Sequence, residues 1–249
     1  MDKIKKISCK QQKNAGVTML SRLKEDMNDL ADPEKAVVLS RFFKTGKGQY
    51  GEGDIFLGIT VPKQRAVATK YPGLSLKVIR KLLSGGIHEY RLVSLLILVN
   101  KYKKAEMEGR KKIIDFYLQN TMFINNWDLV DLSAPNILGD YLVDKDRSVL
   151  YRLARSENLW ERRIAIMSTL SFIRKNDFGD TLDISEILLN DSHDLIHKAA
   201  GWMLREVGKR DLETEEEFLK RHYRRMPRTM LRYAIERFDE RKRKFFLKR

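Results

Sequence analysis

Trp127 and Asp131 stand four residues apart in the run NNWDLVDLSAP. On a helix, that spacing puts an indole and a carboxylate on one face, about one turn apart. Both groups attract positive charge, the indole through its π-face and the carboxylate through its own charge. A second stripe, Lys198, Trp202 and Arg205, follows i, i+4, i+7 and reads cation, aromatic, cation. Arg163 lies on the stretch between the two stripes. Spacing alone also allows a structural assignment, in which both tryptophans anchor the core and a local arginine pairs Asp131. The two assignments part on whether separate helices bring these residues to a common surface.

The elements that would do so recur along the chain. Apolar helical patterns cover Glu89–Tyr102, Asn126–Tyr141, Leu159–Ile173, Leu195–Val207 and Arg228–Phe238. Aligned on Tyr90, Trp127, Trp160, Ile196 and Met230, they are separated by 37, 33, 36 and 34 residues. A second helical stretch fits in the intervals, as at Arg110–Leu118, Arg147–Ala154 and Leu182–Leu189. Two helices per ~35–45 residues is the pattern of an α-solenoid of the HEAT or tetratricopeptide kind. Matched helices of such an array line one concave face. In WERRIAIMSTLSFI, Trp160, Ile164, Met167 and Phe172 fall near one face, and Glu161, Arg162 and Arg163 are expected on exposed turns. Asp32-Pro33 opens a helix, with Asn158 and Asp194 expected as further N-caps. Pro135 cannot donate to the carbonyl of Asp131, so the helix there must kink or restart.

Two other motifs have plain readings. Gly46, Gly48, Gly51 and Gly53 contain a G-x-G-x-x-G string, but Ala36–Lys44 before it is helical, whereas a dinucleotide site needs a strand there. A loop joining repeats is expected, with Lys44 and Lys47 in reach of a phosphate backbone. His193 and His197 have metal-ligand spacing but lack the glutamate of H-E-x-x-H, and read as ordinary surface histidines.

The 249 residues suffice for a sizeable core, and 43% hydrophobic content excludes a disordered chain. Five prolines and 14 glycines favour long helices. The formal charge of +15 points to an acidic partner, nucleic acid first and an anionic membrane surface second, although charge also serves solubility. The single cysteine, Cys9, excludes an intramolecular disulfide and suits a reducing cytoplasm. The longest apolar stretch, Leu92–Val99, is far too short to span a bilayer. Residues 1–18 are expected to be a flexible basic leader, residues 19–249 one repeat domain, and the terminal RKRKFFLKR either a grip on DNA or a frayed helix end.

The strings DPEKAVVLSRFF, DIFLGITVP, NNWDLVDLSAPNILGDYL, ENLWERRIAIM and HKAAGWMLREVGKR resemble DNA alkylation repair enzymes of the AlkD type, from about Leu23 onward. The resemblance implies an all-α fold, a right-handed HEAT-like superhelix of antiparallel helix pairs with a basic concave face. It implies a bacterial, monofunctional glycosylase that excises cationic N3- and N7-alkylated purines without deep base flipping. The family's aromatic and aspartate constellation matches Trp127, Asp131 and Trp202. Its phosphate-contacting arginines match Arg163 and Arg205. Arg162 and Lys198 join them on the same helices as expected backbone contacts. Phe42 stands where the family's first helix carries a tyrosine, which keeps the ring and loses a hydroxyl.

Chemically, an alkylated purine is already a cationic leaving group, so no strong acid is required. A carboxylate near the sugar stabilises the positive charge that develops there and can position water. This scheme needs no metal or organic cofactor. The expected partner is double-stranded DNA bearing alkylated bases, met by a monomer without a membrane or an obligate protein partner. The competing reading is a non-catalytic HEAT-repeat protein that binds damaged or branched DNA. A third is a protein-binding scaffold.

Overall fold

In the computed structural model, residues 18–248 are described, which leaves Cys9 and nearly all of the expected leader outside them. Every regular element among the described residues is helical, and the one β feature is an isolated bridge between Ile55 and Ile87. The all-α class follows. The chain divides into two compact units, Met1–Leu129 and Val130–Arg249.

In the first unit, α1 (residues 18–28) buries Leu23 and Met27, one turn apart. The next helix, α2 (Pro33–Phe42), begins as expected: the Asp32 carboxylate accepts the N–H of Lys35 at 3.1 Å, with proline at the first helical position. None of its residues is buried, and Val37, Val38 and Phe42 are exposed. Helices α3 (Val61–Lys70) and α4 (Leu76–Leu83) pack on α5 (His88–Lys104), which α6 (Met107–Gln119) also touches. From Leu92 to Val99, α5 is apolar nearly all round and buried, as a helix without a polar face must be.

The segment joining α2 to α3 is held down from α5. The buried Glu89 carboxylate accepts the backbone N–H groups of Leu57, Gly58 and Ile59 at 2.9, 2.8 and 3.2 Å. Gly58 has φ +84°, and a Cβ there would lie 2.1 Å from the Asp32 carbonyl oxygen, so only glycine fits. The residues before it, Gly46–Gly53, form the expected loop, with Lys44 over the Tyr50 ring.

Helix α7 (Trp127–Ser133) crosses the division between the units. Proline at 135 does not end it. The chain continues as a π-turn over Pro135–Gly139, in which the Gly139 N–H donates to Ala134 O at 2.9 Å. The wider turn absorbs the missing donor, one of the recognised causes of a helix kink. The Ser171 hydroxyl donates to the Pro135 carbonyl at 2.7 Å, beside the Asp140 N–H that the same oxygen accepts.

The second unit continues through α8 (Ser148–Ala154), α9 (Leu159–Ser168), α10 (Leu170–Ile173), α11 (Gly179–Ile187), α12 (Asp194–Gly208), α13 (Leu212–His222), α14 (Arg228–Ala234) and α15 (Glu240–Leu247). Helix α12 packs against both α9 and α14, while α8 covers α9, α11 touches α8 and α9, and α13 covers α12. This is the layered pairing of a solenoid. The approach of α12 to α14 is close: a Cβ at Gly201 would sit 2.4 Å from Met230 O.

The five aligned positions all fall within the first three residues of α5, α7, α9, α12 and α14. Tyr90, Trp160, Ile196 and Met230 are buried there, while Trp127 is only half-buried. Three local expectations need correction. The N-cap of α12 is His193, whose Nδ1 accepts the Leu195 N–H at 3.2 Å, one residue before Asp194. The stretch 159–173 breaks at Thr169, where the Ser168 and Thr169 hydroxyls each donate to a carbonyl of the preceding turn. The basic end RKRKFFLKR forms most of α15, capped by Asp239, with Arg249 outside the described residues.

Candidate functional sites of the two units

In the first unit, Trp127 ends a stack of rings. Phe43 lies flat on the indole, with centroids 5.0 Å apart and planes at 9°. Phe56 stacks on Phe43 at 5.0 Å, and the His88 imidazole stacks on Phe56 at 4.5 Å. The exposed Phe42 ring meets Trp127 edge-on at 5.9 Å. Phe42, expected to contact DNA, therefore borders Trp127.

Beneath the rings lies a buried polar network. His88 Nδ1 is 3.0 Å from Asp54 Oδ2, and Nε2 is 2.8 Å from Asp128 Oδ2. Arg91 Nη2 pairs with Asp54 Oδ1 at 2.5 Å. Asn126 links this network to α7: its Nδ2 donates to Asp54 at 3.2 Å and its Oδ1 accepts the Trp127 N–H at 2.8 Å. Burial opposes charge on His88, but the hydrogen bonds to Asp128 and Asp54 outweigh it and push the imidazole up from 6.5 to about 9. Burial would raise the Asp54 carboxyl, yet His88 and Arg91 hold it below its ordinary range.

The network ties stability to pH. The folded state binds the His88 proton more tightly than the unfolded state does, so stability falls as pH rises. The contribution is complete below about pH 6.5 and lost as pH passes through about 9. It amounts to a few kcal/mol at most. Denaturant midpoints measured across that window are expected to fall in the native protein and to stay flatter in His88→Gln. Parallel profiles would remove His88 as the source.

In the second unit, Asp131 meets Arg163 in a two-pronged ion pair. Nε donates to Oδ1 at 2.9 Å and Nη2 to Oδ2 at 2.8 Å. Arg163 was expected on an exposed turn. It is 5% exposed, and its Nη1 donates to Leu195 O at 2.5 Å. The reason is the ion pair itself: a buried guanidinium is tolerated where a carboxylate and a carbonyl together satisfy its donors.

The other expected phosphate contacts also have carboxylate partners. Arg162 pairs with Asp191 at 2.6 Å, Lys198 with Asp194 at 2.6 Å, and Arg205 with Glu236. Exposure separates them. The side chains of Lys198 and Asp194 are 38% and 54% exposed, and such surface pairs contribute ~0–1 kcal/mol. A phosphate can displace that partner. The Asp131–Arg163 pair has no such freedom. Half-buried Trp202 donates its indole N–H to Glu206 at 2.9 Å. His197 Nε2 meets Asp191 O at 2.6 Å, so both histidines of the i, i+4 pair serve the start of α12.

Asp54, Phe43, Phe56, His88 and Asp128 were not singled out from sequence. The Phe42-Phe43 doublet was the available signal. His88 offered none, since its partners lie 34 and 40 residues away.

A family model described as "DNA alkylation repair enzyme" matches residues 23–238. Among solved structures, the chain is similar to one described as a predicted DNA alkylation repair enzyme from Enterococcus faecalis. The two share 18% identity at a TM-score of 0.64, over 84% of this chain and 97% of that one. At that identity the likeness concerns the fold. No curated protein matches the chain. The family match spans both units and contains the Trp127 ring stack and the Asp131–Arg163 pair, and on that match the chain belongs to the DNA alkylation repair enzyme family.

Proposed function

We propose that this protein is a DNA glycosylase that hydrolyses the bond between deoxyribose and an N3- or N7-alkylated purine. The observation that carries the reading is the carboxylate of Asp131, held by both oxygens one turn after Trp127 on α7. A carboxylate so fixed needs no reorganisation when positive charge develops on the sugar, which is the requirement for electrostatic stabilisation of that transition state.

In the reaction, the C1′–N bond breaks and its electron pair neutralises the cationic purine. Water oxygen bonds to C1′, and its proton passes to solvent. Asp131 stabilises the oxocarbenium-like sugar and orients the water. Trp127 and Trp202 each offer a half-buried indole face to positive charge, worth ~1–2 kcal/mol where desolvated. Arg163 acts on the reaction through Asp131, as a positioning residue. Lys198 and Arg205 bind backbone phosphates by exchanging partners that are more than half exposed, Arg162 approaches the backbone while it keeps the nearly buried Asp191, and Phe42 supports Trp127 at the DNA surface. The substrate is double-stranded DNA, and the scheme draws on no metal or cofactor.

The test is release of free 7-methylguanine from methylated duplex DNA under single-turnover conditions. Time-dependent release that leaves abasic sites is expected. Binding to the same duplex with no release would favour the non-catalytic damaged-DNA binder.

A further inference from the structure

Trp127 is held through both of its neighbours in the chain, and both holds lead to His88. Before it, Asn126 accepts the Trp127 N–H through Oδ1 and donates through Nδ2 to Asp54, which also accepts from His88 Nδ1. After it, Asp128 accepts from His88 Nε2 through one oxygen and from the Leu129 N–H through the other, at 2.9 Å. A third route runs through rings: His88 stacks on Phe56, Phe56 on Phe43, and Phe43 on the indole. All of these residues belong to the first unit.

Only the imidazolium can make both polar links. Protonated on both nitrogens, it donates once to each carboxylate. The neutral ring has one N–H and turns a lone pair toward the other carboxylate. The side chains of Asp54 and Asp128 are 6% and 7% exposed, so water does not replace the lost bond. The other charged group facing the ring is Arg91 on the same helix, with Nη2 3.4 Å from Nδ1. Asp54 keeps Arg91 and Asn126 in either state, so the link to Asp128 is the one expected to open. Buried ion networks often stabilise a fold no better than apolar groups of the same volume. This one supplies direction instead: its bonds end on the residues that flank a half-buried indole.

We propose that His88 is a positioning residue for Trp127, its imidazolium fixing the indole face that meets the lesion. The use of that face rests on the glycosylase reading, and the hold on it does not.

The hold is tested on full-length protein carrying 5-fluorotryptophan. Its three tryptophans give three fluorine NMR resonances, and Trp127→Phe identifies that of Trp127. Relaxation by a neutral gadolinium chelate reports how exposed each indole is, which a change of charge alone does not alter. As pH rises, the Trp127 value is expected to change with a midpoint of about 9, while Trp160 and Trp202 stay constant. His88→Gln, which also turns an acceptor toward one carboxylate, should show the alkaline value at neutral pH and no transition. The proposal is overturned if Trp127 does not move, if the transition survives His88→Gln, or if all three indoles move together.

The consequence for function is read at neutral pH. His88→Gln should slow 7-methylguanine release by ~10–100-fold, the scale of a small misplacement. In a Trp127→Ala background it should cost nothing further, in release or in affinity for methylated duplex. Equal losses in both backgrounds overturn the positioning role. A protein that shows the Trp127 transition but releases no base keeps the hold and loses the glycosylase reading. One that releases base without the transition loses the positioning role alone.

Discussion

Asp131→Asn is expected to slow 7-methylguanine release by about 10²–10³-fold while leaving affinity for methylated duplex within a few fold. The substitution keeps shape and one acceptor oxygen but removes the charge that faces the developing cation. It also places an amide NH₂ or a neutral oxygen against Arg163, so one prong of the ion pair is lost. Asp131 lies on the turn before the π-bulge at Pro135–Gly139, whose wider geometry does not depend on the side chain. A folded but less stable variant is therefore expected, since the buried Arg163 loses its counter-charge, and the rate is compared at a temperature where the variant stays folded. Unchanged release would take Asp131 out of the mechanism, and an equal loss of DNA affinity would make it a binding residue.

Arg163→Ala should cost on the order of 3–5 kcal/mol of stability, because it removes the paired guanidinium from a carboxylate whose side chain is only 12% exposed. At temperatures where the variant stays folded, its release rate should fall with that of Asp131→Asn, and the double variant should be little worse than either single one. Arg163→Lys restores charge but not the fork, and should recover stability more than rate. The salt dependence of DNA binding should not change, since a guanidinium committed to Asp131 neutralises no phosphate. Lys198→Ala gives the contrast: the slope of log K against log salt should flatten by roughly 0.9, the value for one phosphate contact. A flattened slope in Arg163→Ala would return that arginine to the DNA backbone.

The role expected of Arg163 differs from the one that the family resemblance implies, and the difference shows what a sequence can hold. The helices were legible because their causes are local. Asp32-Pro33 and Asn158 cap their helices as read, with Asn158 accepting the Trp160 N–H at 2.9 Å. The five-fold recurrence near 35 residues was legible for the same reason, since each helix must bury a similar stripe. Of the aligned residues, four did go to the core as aromatic and aliphatic anchors usually do, and half-buried Trp127 is the exception. Its exposure depends on Phe43 and on Asn126, which the periodicity of α7 does not encode.

The fate of the charged residues was decided by tertiary structure. Asp131 finds its arginine 32 residues away, and it is the arginine that the family resemblance had sent to phosphate. A helical wheel fixes the face on which Arg163 stands, but whether that face meets water or a carboxylate depends on the neighbouring helix. The same holds for His88, which sequence presents as an unremarked residue at the start of a helix. Its charge arises because the fold brings Asp54 and Asp128 to its two nitrogens while excluding water. For Trp127 and Asp131, the sequence by itself determined that indole and carboxylate share one face of one helix, through the 3.6-residue period. Tertiary structure decided that the carboxylate is held by both oxygens and that the indole lies on a phenylalanine stack, because ion pairs and ring contacts depend on distance in space.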